Sequence, residues 1–202
     1  MIYFSVVEEK NIEENEKYFA GDFSSVHDGV EIMTGYNSDE GLIALGLGGS
    51  ITNYLEMTRI YAELFSPQLL SFHLTPNQKL EFGKRFRKYY FNDEFDISDG
   101  WEILNKFSSM DIFVYGIVSF ARVCAKKEKV YLYKFSCKSE RNNFAHLLGL
   151  TDVIKNKPVT CHGDDLSYLF NSKLGNKVNS KSDTFQLMEK VIKLWTNFAK
   201  YG

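Results

Sequence analysis

The sequence predicts an α/β fold with few strands, many helices and an incomplete sheet. Only two segments of the 202 residues are convincing strands, and about ninety residues separate them. Between the two, apolar residues recur at spacings of three and four, which is typical of amphipathic helices. A two-stranded sheet is marginal by itself, so we expect most of the sheet to belong to polypeptide outside this sequence.

The first strand is predicted at residues 30–36, a β-rich run that the polar residues 37–39 end in a turn. Residues 1–29, which precede it, are polar and irregular. Glu40 therefore lies just beyond the carboxyl end of a strand. Open α/β sheets hold their functional groups at this edge, which makes Glu40 a candidate functional residue.

A block of helices is predicted after this turn. Its members are residues 51–70, 76–90, 98–107 and 111–126. Pro67 and Pro76 interrupt the block. The glycine-rich residues 46–50 lack the following glycine and the Lys-Ser/Thr pair of a phosphate-binding loop, so we interpret them as a connection between helices.

The second strand is predicted at residues 129–136, which are mostly aromatic and β-branched. A polar loop leads from there to His162, and the carboxylates of Asp164 and Asp165 suit the start of a short helix through Phe170. The last helix is predicted from the N-capping residues 182–183 to residue 200. Its predicted apolar face comprises Leu187, Val191, Leu194, Trp195 and Phe198.

Composition indicates one ordinary globular domain, because the 202 residues are 44% hydrophobic and carry a net charge of -2. Lysine and arginine are scattered, and the dense basic run at residues 84–88 is interpreted as a solvated helix face, so no nucleic-acid partner is expected. The longest apolar stretch, residues 112–121, is about half of a membrane span, and no span is expected. Residues 1–7 are too short for the apolar core of a signal peptide, so no secretion signal is expected in this chain, and the localisation stays open.

Cysteine and histidine do not form a pattern that predicts a metal or a cofactor. The three cysteines are widely spaced without a C-x-x-C pair, which excludes a disulfide framework or a zinc site and favours buried or partly buried thiols. His162 stands between Cys161 and two aspartates, which could suggest metal ligands. The start of a helix explains the two aspartates better, so the sequence predicts neither a metal nor a cofactor.

Four motifs occur in a set order along the chain. They are Phe4-Ser5-Val6-Val7-Glu8, Gly35-Tyr36-Asn37-Ser38-Asp39-Glu40-Gly41, Val130-Tyr131-Leu132-Tyr133-Lys134-Phe135 and Leu194-Trp195-Thr196-Asn197-Phe198-Ala199-Lys200-Tyr201-Gly202. Together they resemble the C-terminal portion of type-B carboxylesterases, the cholinesterase-like α/β-hydrolases, in particular insect carboxylesterases and juvenile hormone esterases. The resemblance implies that residues 1–202 are the C-terminal portion of a single carboxylesterase domain. The N-terminal half, with its nucleophile elbow and oxyanion loop, is then expected to be absent.

The resemblance implies that Glu40 is the acid and His162 the general base and acid of a Ser-Glu-His triad. The nucleophile of α/β-hydrolases lies in a Gly-x-Ser-x-Gly elbow, and no serine here has that context. Ser50 comes nearest, with Gly48 two residues before it and Thr52 in place of the second glycine. We therefore expect a carboxylic-ester hydrolase whose serine is missing from this chain, and no turnover by the chain alone.

The resemblance also implies that Ile43 and Ala44 line the acyl and alcohol pocket. Aromatic residues would be needed there to hold a quaternary ammonium group, so the aliphatic pair favours small, hydrophobic, uncharged esters over choline esters. The missing N-terminal half is a further expected partner. The alternative function is a non-catalytic cholinesterase-like module for interaction or ligand binding, but such a module has no need of both an acid and a base.

Overall fold

The computed structural model describes residues 29–47, 51–91, 100–171 and 177–202, together with Glu13. The motif predicted at residues 4–8 lies outside the described residues. So does most of the segment 1–29 that was predicted to be irregular.

The two predicted strands are present and pair with each other. Strand β1 spans Ile32–Asn37 and strand β2 spans Val130–Phe135. They run parallel in a register that places Ile32 opposite Val130 and Asn37 opposite Phe135. Both strands therefore end at the same edge. Beyond this edge, Asp39 forms an isolated parallel bridge with Cys161, which lies outside both strands. In the part of the chain that the structure describes, the sheet consists of these two strands.

Helices make up most of the remaining structure. In chain order they are α1 (Leu42–Leu47), α2 (Ile51–Ile60), α3 (Gln68–Ser71), α4 (Pro76–Phe91), α5 (Gly100–Ser108), α6 (Tyr115–Cys124), α7 (Phe144–Leu147), α8 (Leu166–Leu169) and α9 (Asp183–Tyr201). Helices α1 and α7 were not predicted. Both are short, so their apolar residues do not repeat often enough to give a periodic signal.

The single helix predicted at residues 51–70 is wrong. Tyr61 leaves the helical conformation after α2, with φ -104° and ψ 89°. A short 3-10 helix at Ala62–Phe65 follows, and Pro67 then precedes α3. Proline lacks the N–H that would continue the helical hydrogen-bond ladder, which explains the boundary before α3.

The two helices predicted at 98–107 and 111–126 form one continuous helix over Gly100–Cys124. A π-helical stretch, Ser109–Val114, joins α5 to α6. By length and composition alone, this helix could cross a membrane, a test that core helices of soluble proteins also meet. Trp101 and Leu104 of this helix are buried in the core. Whether the chain lacks a membrane span stays a prediction.

Two apolar clusters form the core. The larger cluster contains Leu42, Leu45, Leu55, Phe65, Phe91, Trp101, Leu104, Ala145, Leu150, Ile154, Val159 and Cys161. The smaller cluster is centred on Phe135, Tyr168 and Val191, and it attaches α8 and α9 to strand β2. Leu42 of the larger cluster directly follows the turn after β1, and Cys161 of the same cluster directly precedes His162, so the packing of this cluster helps to position both segments.

The last helix begins as predicted, because the hydroxyl of Ser182 accepts a hydrogen bond from the backbone N–H of Phe185 at 3.2 Å. Leu187, Val191 and Trp195 pack in the smaller cluster. The prediction for Leu194 is wrong, since its side chain is 62% exposed.

Candidate active site

The turn after β1 holds the carboxylate of Glu40 in a buried position. Glu40 is 4% exposed, and its Oε1 accepts a hydrogen bond of 2.7 Å from the backbone N–H of Asn37. Ionised carboxylates are kept inside proteins only where hydrogen bonds replace water. The N–H of Asn37 donates a hydrogen bond to one carboxylate oxygen of Glu40. The other oxygen faces the loop that carries His162, the histidine loop.

Glu40 and His162 form a close pair, although they are 122 positions apart in the sequence. Oε2 of Glu40 lies 2.5 Å from Nδ1 of His162. Because a carboxylate can only accept, Nδ1 is the donor of this bond, and in the neutral imidazole Nε2 then holds the lone pair. The imidazole is 40% exposed. Among the described residues, its ring has Glu40 as its hydrogen-bond partner, so Nε2 is available to take a proton.

The histidine loop is held by the buried carboxylate of Asp164. Its Oδ2 accepts from the N–H of Cys161 at 2.7 Å and its Oδ1 from the N–H of Phe144 at 3.2 Å. Burial raises the pKa of Asp164 to about 6, although the backbone N–H groups act in the opposite direction. Gly163 has φ +80°, a conformation that glycine adopts without strain, and it lets the loop turn beside His162.

Asp165 caps the start of helix α8, the role that the sequence predicts for both Asp164 and Asp165. Its Oδ1 caps helix α8 through the N–H of Leu166 at 3.1 Å and also accepts from the side chain of Asn37 at 3.1 Å. The hydroxyl of Tyr133 donates to its Oδ2 at 3.2 Å. Burial, and next the charge of Asp165, raise the pKa of Tyr133 to about 12. For Asp164 the prediction is wrong, because its side chain bonds the loop instead of the helix start.

Asp39 connects the turn that carries the acid to the loop that carries the histidine. Its backbone N–H donates to the carbonyl of Thr160 at 3.0 Å, and its Oδ2 accepts from the N–H of Thr160 at 2.9 Å. Its Oδ1 accepts from the side-chain amide of Asn105 in α5 at 2.9 Å. These bonds set the separation between Glu40 and His162. The sequence analysis missed Asp39 because it assigned a role only to the second of two adjacent carboxylates. It missed Asn105 because this residue lies far from Asp39 in the sequence.

The helix Gly100–Cys124 packs directly against Gly41 in the turn after β1, residues 38–41, which is named the acid turn because it carries Glu40. The backbone N–H of Gly41 donates to Oγ of Ser109 at 2.8 Å. A Cβ at Gly41 would lie 2.3 Å from the carbonyl oxygen of Asn105, so a glycine is required at this position. Four residues beyond Ser109, the ring of Phe113 lies against His162, with the ring centroids 4.8 Å apart. Sequence reasoning did not identify Ser109 or Phe113, whose spacing looks like that of any amphipathic helix.

Cys161 precedes His162 but is a poor nucleophile. The residue is fully buried, and burial, followed by the charge of Asp164, raises the pKa of its thiol to about 12. A neutral thiol is unreactive. The prediction of buried or partly buried thiols is confirmed, since Cys124 and Cys161 are buried, Cys137 is partly buried, and all three are free.

Helix α1 places the two predicted pocket residues differently. Ala44 lines a cavity of about 500 Å³, whereas Ile43 is partly buried and does not line it. The other residues of this lining are Leu45, Tyr54, Glu63, Leu64, Ser66, Ser71, Lys79, Phe107, Ser108, Asp111 and Ile112. Three of these lining residues, Glu63, Lys79 and Asp111, are charged. The aliphatic residues Ile43 and Ala44 gave no indication of charge in the pocket.

The chain is similar to known proteins in sequence and in fold. The model of the Carboxylesterase family matches residues 3–202. Esterase B1 of Culex pipiens is 22% identical over 184 residues, which cover 87% of this chain and 32% of that protein. The crystal structure of juvenile hormone esterase from Manduca sexta, with OTFP covalently attached, superposes with a TM-score of 0.65 at 23% identity. The superposition covers 85% of this chain and 32% of the juvenile hormone esterase chain. This chain therefore spans about a third of the length of both relatives. The predicted fold, an α/β-hydrolase with few strands and an incomplete sheet, is confirmed.

Proposed function

This chain belongs to the carboxylesterase family, and on that premise we propose that Glu40 and His162 are the acid and the general base of a Ser-Glu-His triad that hydrolyses carboxylic esters. The observation that carries the proposal is the 2.5 Å contact between Oε2 of Glu40 and Nδ1 of His162. A buried carboxylate on Nδ1 fixes the imidazole tautomer whose Nε2 accepts a proton.

In the proposed mechanism His162 accepts and returns a proton twice, once as the acyl-enzyme forms and once as it is hydrolysed. Nε2 accepts the proton of the serine hydroxyl as the serine attacks the ester carbonyl, and it then donates this proton to the departing alcohol. Next, Nε2 accepts a proton from the water that attacks the acyl-enzyme, and it donates this proton to the serine oxygen as the acid is released. Glu40 stabilises the imidazolium that exists in each transition state, and it stays ionised throughout.

We further propose that the nucleophilic serine lies outside these 202 residues. No serine here has the context of a nucleophile elbow, and in the described part of the chain none is hydrogen-bonded to the ring of His162. Residues 1–202 then act as the C-terminal portion of one carboxylesterase domain. The portion that carries the serine and the oxyanion hole is the partner that completes the site.

The first experiment tests where the serine is. Purified chain is incubated with a 4-nitrophenyl ester and, separately, with a fluorophosphonate probe that reacts with activated serines. We expect no hydrolysis above that of the His162→Ala variant and no labelling. Hydrolysis that His162→Ala abolishes, with labelling of this chain, would place the nucleophile within the 202 residues and overturn this part of the proposal.

A second experiment separates the esterase from a non-catalytic module. The transcript is sequenced upstream of this coding region. An in-frame segment with a Gly-x-Ser-x-Gly elbow is expected, and the joined polypeptide should lose at least about 10³-fold in kcat with Glu40→Gln or His162→Ala. An upstream segment without the elbow would favour an interaction or ligand-binding module.

For the substrate we propose a hydrophobic, uncharged ester whose chain enters the cavity beside Ala44. Binding of 3,3-dimethylbutyl butyrate and of its cationic isostere butyrylcholine is compared by NMR titration of this chain. We expect the uncharged ester to bind more tightly and Ala44→Trp to weaken its binding. Ala199→Trp on the exposed face of α9 is the matched control. Tighter binding of the cation would show that Glu63 and Asp111 dominate the cavity, and the proposed substrate class would be wrong.

A further inference from the structure

We propose that Phe113 is a positioning residue for the general base, because its ring fixes the plane of the His162 imidazole. The inference rests on the proposed function, in which the direction of Nε2 matters. The two ring centroids are 4.8 Å apart and the ring planes are inclined by 34°. This separation lies within the range over which aromatic rings pack favourably.

The hydrogen bond to Glu40 cannot fix the imidazole by itself. It anchors the ring at one atom, Nδ1, and the χ2 torsion of histidine has a broad energy profile. The imidazole can therefore swing about that anchor and change the direction in which Nε2 points. A second ring packed against its face blocks this swing. General-base catalysis needs such control, because a small misplacement of the base costs a large part of the rate.

Phe113 is itself held in place by the acid turn. Ser109, one helical turn earlier, accepts from the N–H of Gly41 at 2.8 Å and donates to Oδ1 of Asn105 at 3.3 Å. Both Ser109 and Phe113 belong to the π-helical stretch. Such stretches are rare and are often found at functional sites. One short segment thus bonds the turn that carries Glu40 and packs against the ring of His162.

The test measures the order of the imidazole in the isotopically labelled chain, without any ester. The rate at which the Nδ1 proton of His162 exchanges with water is determined by NMR. Replacing Phe113 by leucine keeps an apolar side chain but removes the flat ring. We expect exchange to become about two- to tenfold faster in Phe113→Leu, the factor that corresponds to one aromatic ring pair. Phe113→Tyr, which restores the ring, should return the rate of the unmodified chain.

The control is Phe72→Leu, since Phe72 is 88% exposed and has the same chemistry outside the site. Its exchange rate should equal that of the unmodified chain. Equal rates in Phe113→Leu and the unmodified chain would overturn the proposal. If Phe113→Leu fails to fold, the proposal is tested on the unmodified chain. The absence of nuclear Overhauser contacts between the rings of Phe113 and His162 would then overturn the proposal. Failure of the esterase experiments leaves these results unchanged, so the two failures are distinguishable.

Discussion

At the residue scale, two adjacent carboxylates in the acid turn have different roles. Glu40 is buried and bonds the imidazole, while Asp39 bonds the backbone of Thr160 and the amide of Asn105. Sequence alone does not distinguish them, because both follow the same strand. Pairing decides between them, since Asp39 forms an isolated parallel bridge with Cys161, and the residues that follow the two partners, Glu40 and His162, then face each other.

Gly41 gives the first prediction at this scale. A methyl group there would meet the backbone of the helix, 2.3 Å from the carbonyl oxygen of Asn105 and 2.7 Å from the amide nitrogen of Ser109. We expect Gly41→Ala to lower the free energy of unfolding by ~1–3 kcal/mol, the usual cost of overpacking. Urea denaturation measures this change.

The matched control is Gly116→Ala in α6, where an added Cβ would have no atom within 4 Å. This variant should be more stable by about 0.5–1 kcal/mol, because alanine favours helix over glycine. Equal effects of the two variants would mean that the acid turn does not press against the helix.

Asp164 gives a prediction on pH. Its pKa is raised from 3.8 to about 6 in the folded chain, so between those values the folded chain binds more protons than the unfolded chain. The contribution of Asp164 to the free energy of unfolding therefore falls as pH rises from about 4 to about 6, on the order of 3 kcal/mol in total, and is constant above about pH 6.

The measurement is the difference in the free energy of unfolding between the unmodified chain and Asp164→Asn across pH 4 to 8. The free energy of unfolding of the unmodified chain minus that of Asp164→Asn should decrease as pH rises to about 6 and then stay level. Asp152→Asn, at an exposed position, controls for the loss of one negative charge. A difference that is flat from pH 4 upward would contradict the raised pKa.

At the element scale, the helix Gly100–Cys124 organises the site although it carries neither member of the pair. Asn105, Ser109 and Phe113 are spaced by four. Asn105 and Ser109 hydrogen-bond Asp39 and Gly41, and the ring of Phe113 packs against His162. An ideal α-helix drifts by a part of a turn over such spacings. The π-helical stretch lies where the last two of these contacts are made.

Ser109 gives the prediction for this element. Ser109→Ala removes the acceptor of the Gly41 N–H and leaves a buried donor without a partner. We expect the free energy of unfolding to fall by about 1–3 kcal/mol, as measured by urea denaturation. Thr196→Ala, whose exposed hydroxyl bonds within its own helix, should change it by less than about 0.5 kcal/mol. A comparable effect of the two variants would show that the Ser109 bond contributes little.

Much of this arrangement could be predicted from local sequence. Strands, the long helices and the turn before Glu40 follow from periodicity and turn residues, which act over a few neighbours. The π-helical stretch could not be predicted in this way, because packing against a turn more than sixty residues away selects it. The division of residues 51–70 depends on the same kind of contact, since Phe65 is buried among aromatic rings of α4 and α5.

At the scale of the whole molecule, the described sheet has two parallel strands and exposed apolar side chains. Parallel sheets are normally covered on both faces and bordered by further strands. Here Tyr131 and Leu132 of β2 are 40% and 47% exposed. These features fit a chain that spans about a third of the length of its relatives. They also make the sheet a site at which copies of the chain can associate.

The prediction at this scale concerns self-association. Leu132→Lys places a charge on the exposed sheet and should lower the apparent mass in sedimentation velocity at high protein concentration. Phe72→Lys removes a more exposed aromatic residue outside the sheet and should leave the apparent mass unchanged. If only Phe72→Lys lowers the mass, a helical surface and not the sheet drives association.

The parallel pairing of β1 with β2 also constrains the order in which the molecule can fold. Two parallel strands need a long crossover, so β1 must wait until the intervening helical block has been synthesised and compacted. Glu40 and His162, 122 positions apart, meet only after that step. A partly folded chain, however helical, therefore lacks this contact, and the contact reports that the crossover has compacted.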